Sequence, residues 1–427
     1  MRLLKLTLFL AKKFNFFLPL VYLIRFKVIF PLDIYTKYSR KKNNVLLISK
    51  TGFVEDFIVV SRHINNDFNF FVFNRIAAEI IAKSFLPLNQ QVDYLSKDSY
   101  RSESHEALQK FWIKLFLKLN KTYNFKGLVS GSWVYWKERD FHEALISLKI
   151  PVAVFYKEAV ASKVASDYLI AKYNSTRPFM GDLLLVYSEQ QRKRVIAGEI
   201  SSKEKVRAVG APRFDVLIRE MNFNILENSK DPYFKVIFFL HDDFIGSSDI
   251  ILNPNYSDLF MKARADLIDI AVELALNNPD IFVTIKTKVT LKTITFVKKI
   301  EEGLPLLPNL KFVYGGVATD SLSDARVTVA FNSTSTLDSV AAGIETVLYR
   351  PSYCQNYLDL LIDFGDGLEV YTTKSDLSRF LLDKSLQFPY YFSYNEDFKF
   401  NILNKLIGNG DGEASERVID ELKKLFL

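Results

Sequence analysis

Residues 322–351 read LSDARVTVAFNSTSTLDSVAAGIETVLYRP, a strand, a hydroxyl-rich turn, a short helix and a second strand in succession. The apolar run 327–331 is of the kind that lies buried on both faces in a parallel sheet. Asn332 or Ser333 then offers a side-chain oxygen to cap a helix running to about Ala342, and Gly343 stops it. The first N–H groups of such a helix lack intrahelical partners and carry partial positive charge. With the hydroxyls of Ser333, Thr334 and Ser335 they suit an anion. The plainer alternative is a helix cap and nothing more.

The same alternation extends outward. Short β-rich runs occupy 45–49, 69–73, 127–130, 151–155, 183–187 and 206–209, and again 235–240, 281–285, 310–314, 327–331 and 346–349. Longer amphipathic segments separate them, which is the pattern of parallel βαβ units. One of these, EALQKFWIKLFLKL at 106–119, predicts a helix whose Phe/Trp/Leu stripe is core. A polar stretch, 218–233, reads as a connector. The expectation is an α/β protein of two Rossmann-like doubly wound domains, 44–217 and 218–427, facing across a cleft, with the last helix free to pack back on the first domain.

The net charge of +7 is concentrated at the start of the chain. Residues 1–50 hold eleven Lys/Arg against the single acid Asp33, leaving 45 basic and 48 acidic residues in the remainder. A nucleic-acid binder spreads its basic residues over a folded face, so this pattern argues against nucleic acid and for an anionic membrane surface. The longest uncharged run near the start, 14–24, has eleven residues and contains Pro19, too short for a spanning helix. Lys12, Lys13, Arg25 and Lys27 suit a segment at 1–43 lying in the membrane interface, on the cytoplasmic face. The alternative is a pair of ordinary helices packed on the body. A lone cysteine, Cys354, and four scattered histidines give no disulfide and no metal-ligand spacing, so no metal and no cofactor are expected.

Ligands of open α/β sheets sit at the carboxyl ends of strands, so residues there are the candidates. Thr51, Gly52 and Asp56 follow the first strand and are candidate acceptor-binding residues; the acids there also suit a helix dipole. Glu158, after the run 151–155, is the preferred catalytic base, and His241, after 235–240, a second proton-transfer candidate. Arg213, in the turn Gly210-Ala211-Pro212-Arg213-Phe214-Asp215, is a phosphate fork or the partner of Asp215. Lys286 and Lys288 bracket Thr287 on one side of a strand continuation and suit a diphosphate.

That Gly-Ala-Pro-Arg-Phe-Asp turn, then 235–240, then Ile285-Lys286-Thr287-Lys288, then Leu322-Ser323-Asp324-Ala325 leading into 331–335 and Gly343, resembles the ordered motifs of bacterial surface-polysaccharide transferases of the GT-B fold. The group includes capsule and lipopolysaccharide glycosyltransferases and the CDP-glycerol glycerophosphotransferases of teichoic acid synthesis. Where the latter carry Lys-x-His-Pro this chain has Lys286-Thr287-Lys288-Val289, and in place of their acidic turn it has Asn332-Ser333-Thr334-Ser335. The resemblance implies a phosphate-binding role for Arg213, Lys286, Ser333, Thr334 and Ser335, and a metal-independent glycosyltransferase. Its substrates would be a nucleotide-sugar donor and a lipid-linked or glycan acceptor. A glycerol- or polyol-phosphate transferase and a non-catalytic scaffold of a polysaccharide locus are the alternatives, with a sugar-nucleotide epimerase last.

Overall fold

The computed structural model describes residues 2–32, 42–48, 53–97, 102–157, 160–219, 233–241, 255–287, 291–323, 325–389 and 392–427. Of the sequence candidates, Thr51, Gly52, Glu158 and Lys288 lie outside the described residues, as does most of the predicted connector.

In chain order the first elements are α1 (Arg2–Phe14), α2 (Leu18–Lys27), β1 (Ile29–Pro31), β2 (Asn43–Ile48), α3 (Phe53–Arg62), β3 (Phe68–Phe73), α4 (Arg75–Lys83) and α5 (Glu103–Tyr123). Next come β4 (Phe125–Ser130), α6 (Trp136–Ser147), β5 (Val152–Tyr156), α7 (Lys163–Ser175), β6 (Leu183–Val186), α8 (Glu189–Ala197) and β7 (Val206–Ala208). The second half supplies β8 (Phe234–Phe239), α9 (Asn255–Asn277), β9 (Ile281–Thr287), α10 (Leu291–Gly303), β10 (Leu310–Tyr314), β11 (Val327–Ala330) and α11 (Ser335–Ala341). It ends with β12 (Glu345–Tyr349), β13 (Glu369–Tyr371), α12 (Lys374–Leu386), α13 (Glu396–Ile407) and α14 (Ala414–Phe426).

The chain divides into two compact units. One comprises Met1–Ala159, Leu169–Asp215 and Ile407–Leu427; the other Val160–Tyr168 and Val216–Leu406. In the first, the sheet order is β1-β3-β2-β4-β5-β6-β7, with β1 antiparallel to β3 and the other pairs parallel. In the second it is β10-β9-β8-β11-β12-β13, parallel throughout. The parallel strands of the first sheet start at β2, grow one way to β3 and then reverse through β4, with β1 added antiparallel at the edge. The second sheet likewise starts at β8, grows to β10 and reverses through β11, so both are the doubly wound Rossmann-like sheets that the sequence predicts. Strands β5, β6, β11 and β12 are buried at every position, which is why their sequences read as continuous apolar runs.

The apolar start of the chain is built into the first unit. Leu4, Leu8, Ala11, Phe17, Leu20 and Ile24 join the same core as Leu108, Phe111, Trp112 and Leu115 of α5, and the Phe17 and Phe111 ring centroids lie 5.2 Å apart. The opposite face stays open: Leu3, Leu6, Phe9, Phe14, Phe16, Leu18, Tyr22 and Phe26 are all exposed. Among the described residues no helix is long and apolar enough to cross a membrane.

Residues 407–427 complete the first unit from the far end of the sequence. The Phe426 ring fills the space over Gly127 of β4, where a Cβ would stand 2.1 Å from the ring. Asp215 is buried and accepts the backbone N–H groups of Ala414 and Ser415 at 3.1 and 2.8 Å, with the Asn409 side-chain amide at 2.7 Å. It thereby caps α14 from two hundred residues away in sequence.

Candidate functional site

The second sheet reverses between β8 and β11, and the carboxyl ends of the neighbouring strands bring four of its residues to one edge. Phe239 pairs with Lys286 across β8 and β9, and with Ala330 across β8 and β11; Ala330 pairs in turn with Leu348 of β12. Lys286 itself and the residues two beyond Phe239, Ala330 and Leu348 give the order Lys286, His241, Asn332, Arg350 along the edge. With strands ~4.8 Å apart, this row spans about 14 Å, the scale of a nucleoside diphosphate.

Both cations are held by main-chain oxygens. Lys286 is buried, and its Nζ donates to the Gly315 carbonyl at 2.6 Å in the turn after β10. Burial lowers its pKa, and the nearby Asp320 carboxylate opposes the shift. Arg350, which the sequence reading passed over, donates from Nη2 to the Ile362 carbonyl at 2.6 Å. Its Nε is buried with no hydrogen-bond partner among the described residues, and burial holds its pKa below the usual arginine value. The available signal was its place immediately after a strand, the same reasoning that picked out Lys286.

The turn 331–336 departs from the sequence expectation in detail. Asn332 does not cap the helix: its Oδ1 accepts the Ile362 N–H at 2.8 Å, tying the turn to the segment after β12. The Asn332 Nδ2 is buried with no partner among the described residues, as is the Thr336 hydroxyl. The Ser333 hydroxyl accepts the Ser335 N–H at 3.3 Å, and the N–H groups of Thr336 and Leu337 donate to the Ser333 and Thr334 carbonyls. Helix α11 is thus only seven residues long and its first-turn donors are occupied internally. What the turn offers outward is side chains, namely the exposed Thr334 and half-buried Ser335 beside the Asn332 amide nitrogen. Gly343 ends the segment, as expected, at a φ of +74°.

His241 lies on this edge as a packed ring rather than an open one. It is buried, its Nε2–H donates to the Phe260 carbonyl at 2.9 Å, and its ring lies 4.9 Å from that of Phe331. Its contribution there is to brace the turn.

In the first unit the structure joins Asp56 and Arg213, two candidates the sequence kept apart. Asp56 is wholly buried in the first turn of α3. It accepts the Tyr187 hydroxyl and the Arg213 backbone N–H at 3.0 Å, while Arg213 Nη1 donates to the Tyr187 oxygen at 2.9 Å and stands 3.7 Å from Asp56 Oδ2. Burial pushes the Asp56 carboxyl above the usual carboxylate range, against the pull of the Arg213 guanidinium. This carboxylate therefore faces inward and fixes the 210–215 turn, where an acceptor-binding role had been expected. Arg213 takes Asp56 as its partner, and Asp215 turns away to α14.

No protein-family model and no curated protein matches this chain. Solved structures do. UDP-GlcNAc 2-epimerase from Neisseria meningitidis, bound to UDP-GlcNAc, is 12% identical over 89% of this chain and 100% of its own, with a TM-score of 0.47. The Methanocaldococcus jannaschii UDP-GlcNAc 2-epimerase, in complex with UDP-GlcNAc and UDP, is 12% identical over 90% and 99%, with a TM-score of 0.47. A UDP-forming α,α-trehalose-phosphate synthase from Burkholderia xenovorans is 10% identical over 90% and 98%, with a TM-score of 0.46. Likenesses this loose assign no activity.

Proposed function

We propose that the protein is a metal-independent glycosyltransferase that moves a sugar from a nucleotide-activated donor to a lipid-linked or glycan acceptor of a cell-surface polysaccharide. One observation carries the donor reading. At the reversal point of the second sheet, the two strand-end cations Lys286 and Arg350 flank a turn whose Asn332 amide nitrogen and Thr336 hydroxyl have no partner among the described residues. Buried polar groups without partners are costly, and a phosphate's oxygens would satisfy them. Fixed cations at that edge stabilise the charge that develops on the leaving nucleotide as the sugar–phosphate bond breaks. In this reading Glu158, two residues beyond β5 in the sequence, takes the proton of the attacking acceptor hydroxyl. The ordered motifs from Gly210 to Gly343 support the same assignment.

The test is calorimetry with UDP, CMP and GDP, followed by turnover of a nucleotide-sugar panel and of CDP-glycerol. Binding of one nucleotide and consumption of its sugar conjugate is the expected result. Release of CMP from CDP-glycerol would transfer the assignment to a glycerol-phosphate transferase, and failure to bind any of the three nucleotides would leave the scaffold reading.

The open face of α1 and α2 gives the enzyme its place in this proposal, on the anionic cytoplasmic face of the cell membrane. Exposed aromatic and leucine side chains there alternate with Arg2, Lys5, Lys12, Lys13 and Lys27, and residues 2–32 contain no acid. Because the other face of the same helices is core, the surface is presented on a rigid base.

A further inference from the structure

A second polar locus lies in the first unit, under α6. A cavity of about 280 Å³ is bounded by α6, by the residues that follow β4, and by the segment leading into β6. Trp133, Arg139 and His142 line it, each no more than 7% exposed. Each also keeps one buried polar atom without a hydrogen-bond partner among the described residues: Trp133 Nε1, Arg139 Nη2 and His142 Nε2.

The arginine decides what kind of ligand fits. A buried guanidinium needs a counter-charge. Asp140, Glu143 and Asp93 act on it as neighbouring negative charges, yet Asp140 is hydrogen-bonded to His105 Nδ1 at 2.9 Å and to Gln109 at 2.9 Å, and Asp93 to the Trp136 N–H at 3.0 Å. Arg139 Nη1 finds the Val92 carbonyl at 3.5 Å. Glu143, the acid among the lining residues, accepts from Gln109 at 2.8 Å and stands 3.9 Å from Arg177, a second lining cation. Lys97, a third cation at the wall, is ion-paired with Glu199 at 3.1 Å. Burial and the Arg139 charge lower the His142 pKa to about 4, so its imidazole is neutral near pH 7 and serves as a hydrogen-bonding group. The Trp133 and Phe179 rings give the remaining wall an apolar face.

We propose that this cavity binds an oxyanion, phosphate or carboxylate, carried on a body no larger than one sugar ring, with Arg139 and Arg177 meeting the charge and Trp133 and His142 meeting the polar body. Its volume is at the small end of ligand sites and matches such a compact ligand. The proposal stands apart from the donor site, because its residues belong to the first unit and the donor residues to the second.

Calorimetry on the full chain with glucose 6-phosphate, glucuronate and glucose tests it. At least one of the two anions binds and glucose does not, and which anion binds identifies the charged group. Arg139→Gln weakens that binding about tenfold or more, Arg139→Lys retains most of it, and Thr334→Ala/Ser335→Ala leaves it unchanged. Circular dichroism checks folding. Should Arg139→Gln fail to fold, Arg177→Gln, whose side chain is 29% exposed, gives the decisive comparison with the same expected loss. The proposal is overturned if neither anion binds the wild-type chain at millimolar concentration, if glucose binds as well as they do, or if the folded variants bind unchanged.

Discussion

Removing the Asp56 carboxylate separates the structural role given to it here from the ligand-facing role that its sequence position suggests. The side chain is wholly buried and receives the Tyr187 hydroxyl and the Arg213 N–H, with the Arg213 guanidinium 3.7 Å away. Asp56→Ala leaves those donors unmet beside a stranded cation, a loss of about 3–5 kcal/mol by the measure of broken buried pairs. Asp56→Asn keeps the shape and one acceptor, and removes the cost of burying a charge, so about 1–2 kcal/mol is expected. Urea unfolding followed by tryptophan fluorescence reads the effect, because Trp112, Trp133 and Trp136 all belong to the first unit. The pH dependence has a definite sign. The folded pKa of Asp56 is raised, so as pH rises the unfolded chain ionises first. The wild type therefore loses stability relative to Asp56→Asn as pH climbs from the ordinary carboxylate range through the raised value, and the difference is flat above it. Equal stability of all three proteins, with acceptor binding lost instead, would refute the clamp.

Replacing Thr334 and Ser335, the hydroxyls the turn offers outward, together with alanine weakens nucleotide binding by about 1–3 kcal/mol in calorimetry, through loss of hydrogen bonds to a charged phosphate. Phe9→Glu/Phe14→Glu/Phe26→Glu, at positions 51, 60 and 74% exposed, abolishes co-sedimentation with anionic vesicles and leaves the unfolding transition in place. Deleting α1 and α2 is a poorer test, since it would strip core contacts from α5. Gly408→Ala lowers the urea midpoint of the first unit by an equivalent of about 2 kcal/mol. At φ +63° its Cβ would stand 1.9 Å from the Tyr187 carbonyl oxygen.

The sequence disclosed the strands that are buried on both faces, because burial on both sides writes itself as an unbroken apolar run. It hid β1 and β13. Ile29–Pro31 lies inside the basic apolar segment and pairs antiparallel at a sheet edge, while Glu369–Tyr371 is a largely exposed edge strand of three residues with no apolar pattern. Residues 106–119 were recognisable as a core helix because Leu108, Phe111, Trp112, Leu115, Phe116 and Leu119 recur at helical spacing, and all are buried. The strand-end row was legible as far as residue types after strands can take it. The partners were not, since Asp56 meets Arg213 across 157 residues and Asp215 meets Ser415 across 200. Local pattern carries no information about such pairs. The same holds for Arg139 and His142, which share an ordinary helix face until the fold brings Trp133 and Phe179 against them.

The return of residues 407–427 to the first unit sets an order for biosynthesis. When the ribosome has delivered the chain as far as Asp215, that carboxylate has neither α14 nor Asn409 to hold, and the groove over Gly127 is empty of Phe426. The nascent first half must wait, incompletely closed, through nearly two hundred further residues while the second unit is made. A frameshift or protease nick beyond residue 406 would accordingly damage the half of the protein translated first and spare the half translated just before the lesion.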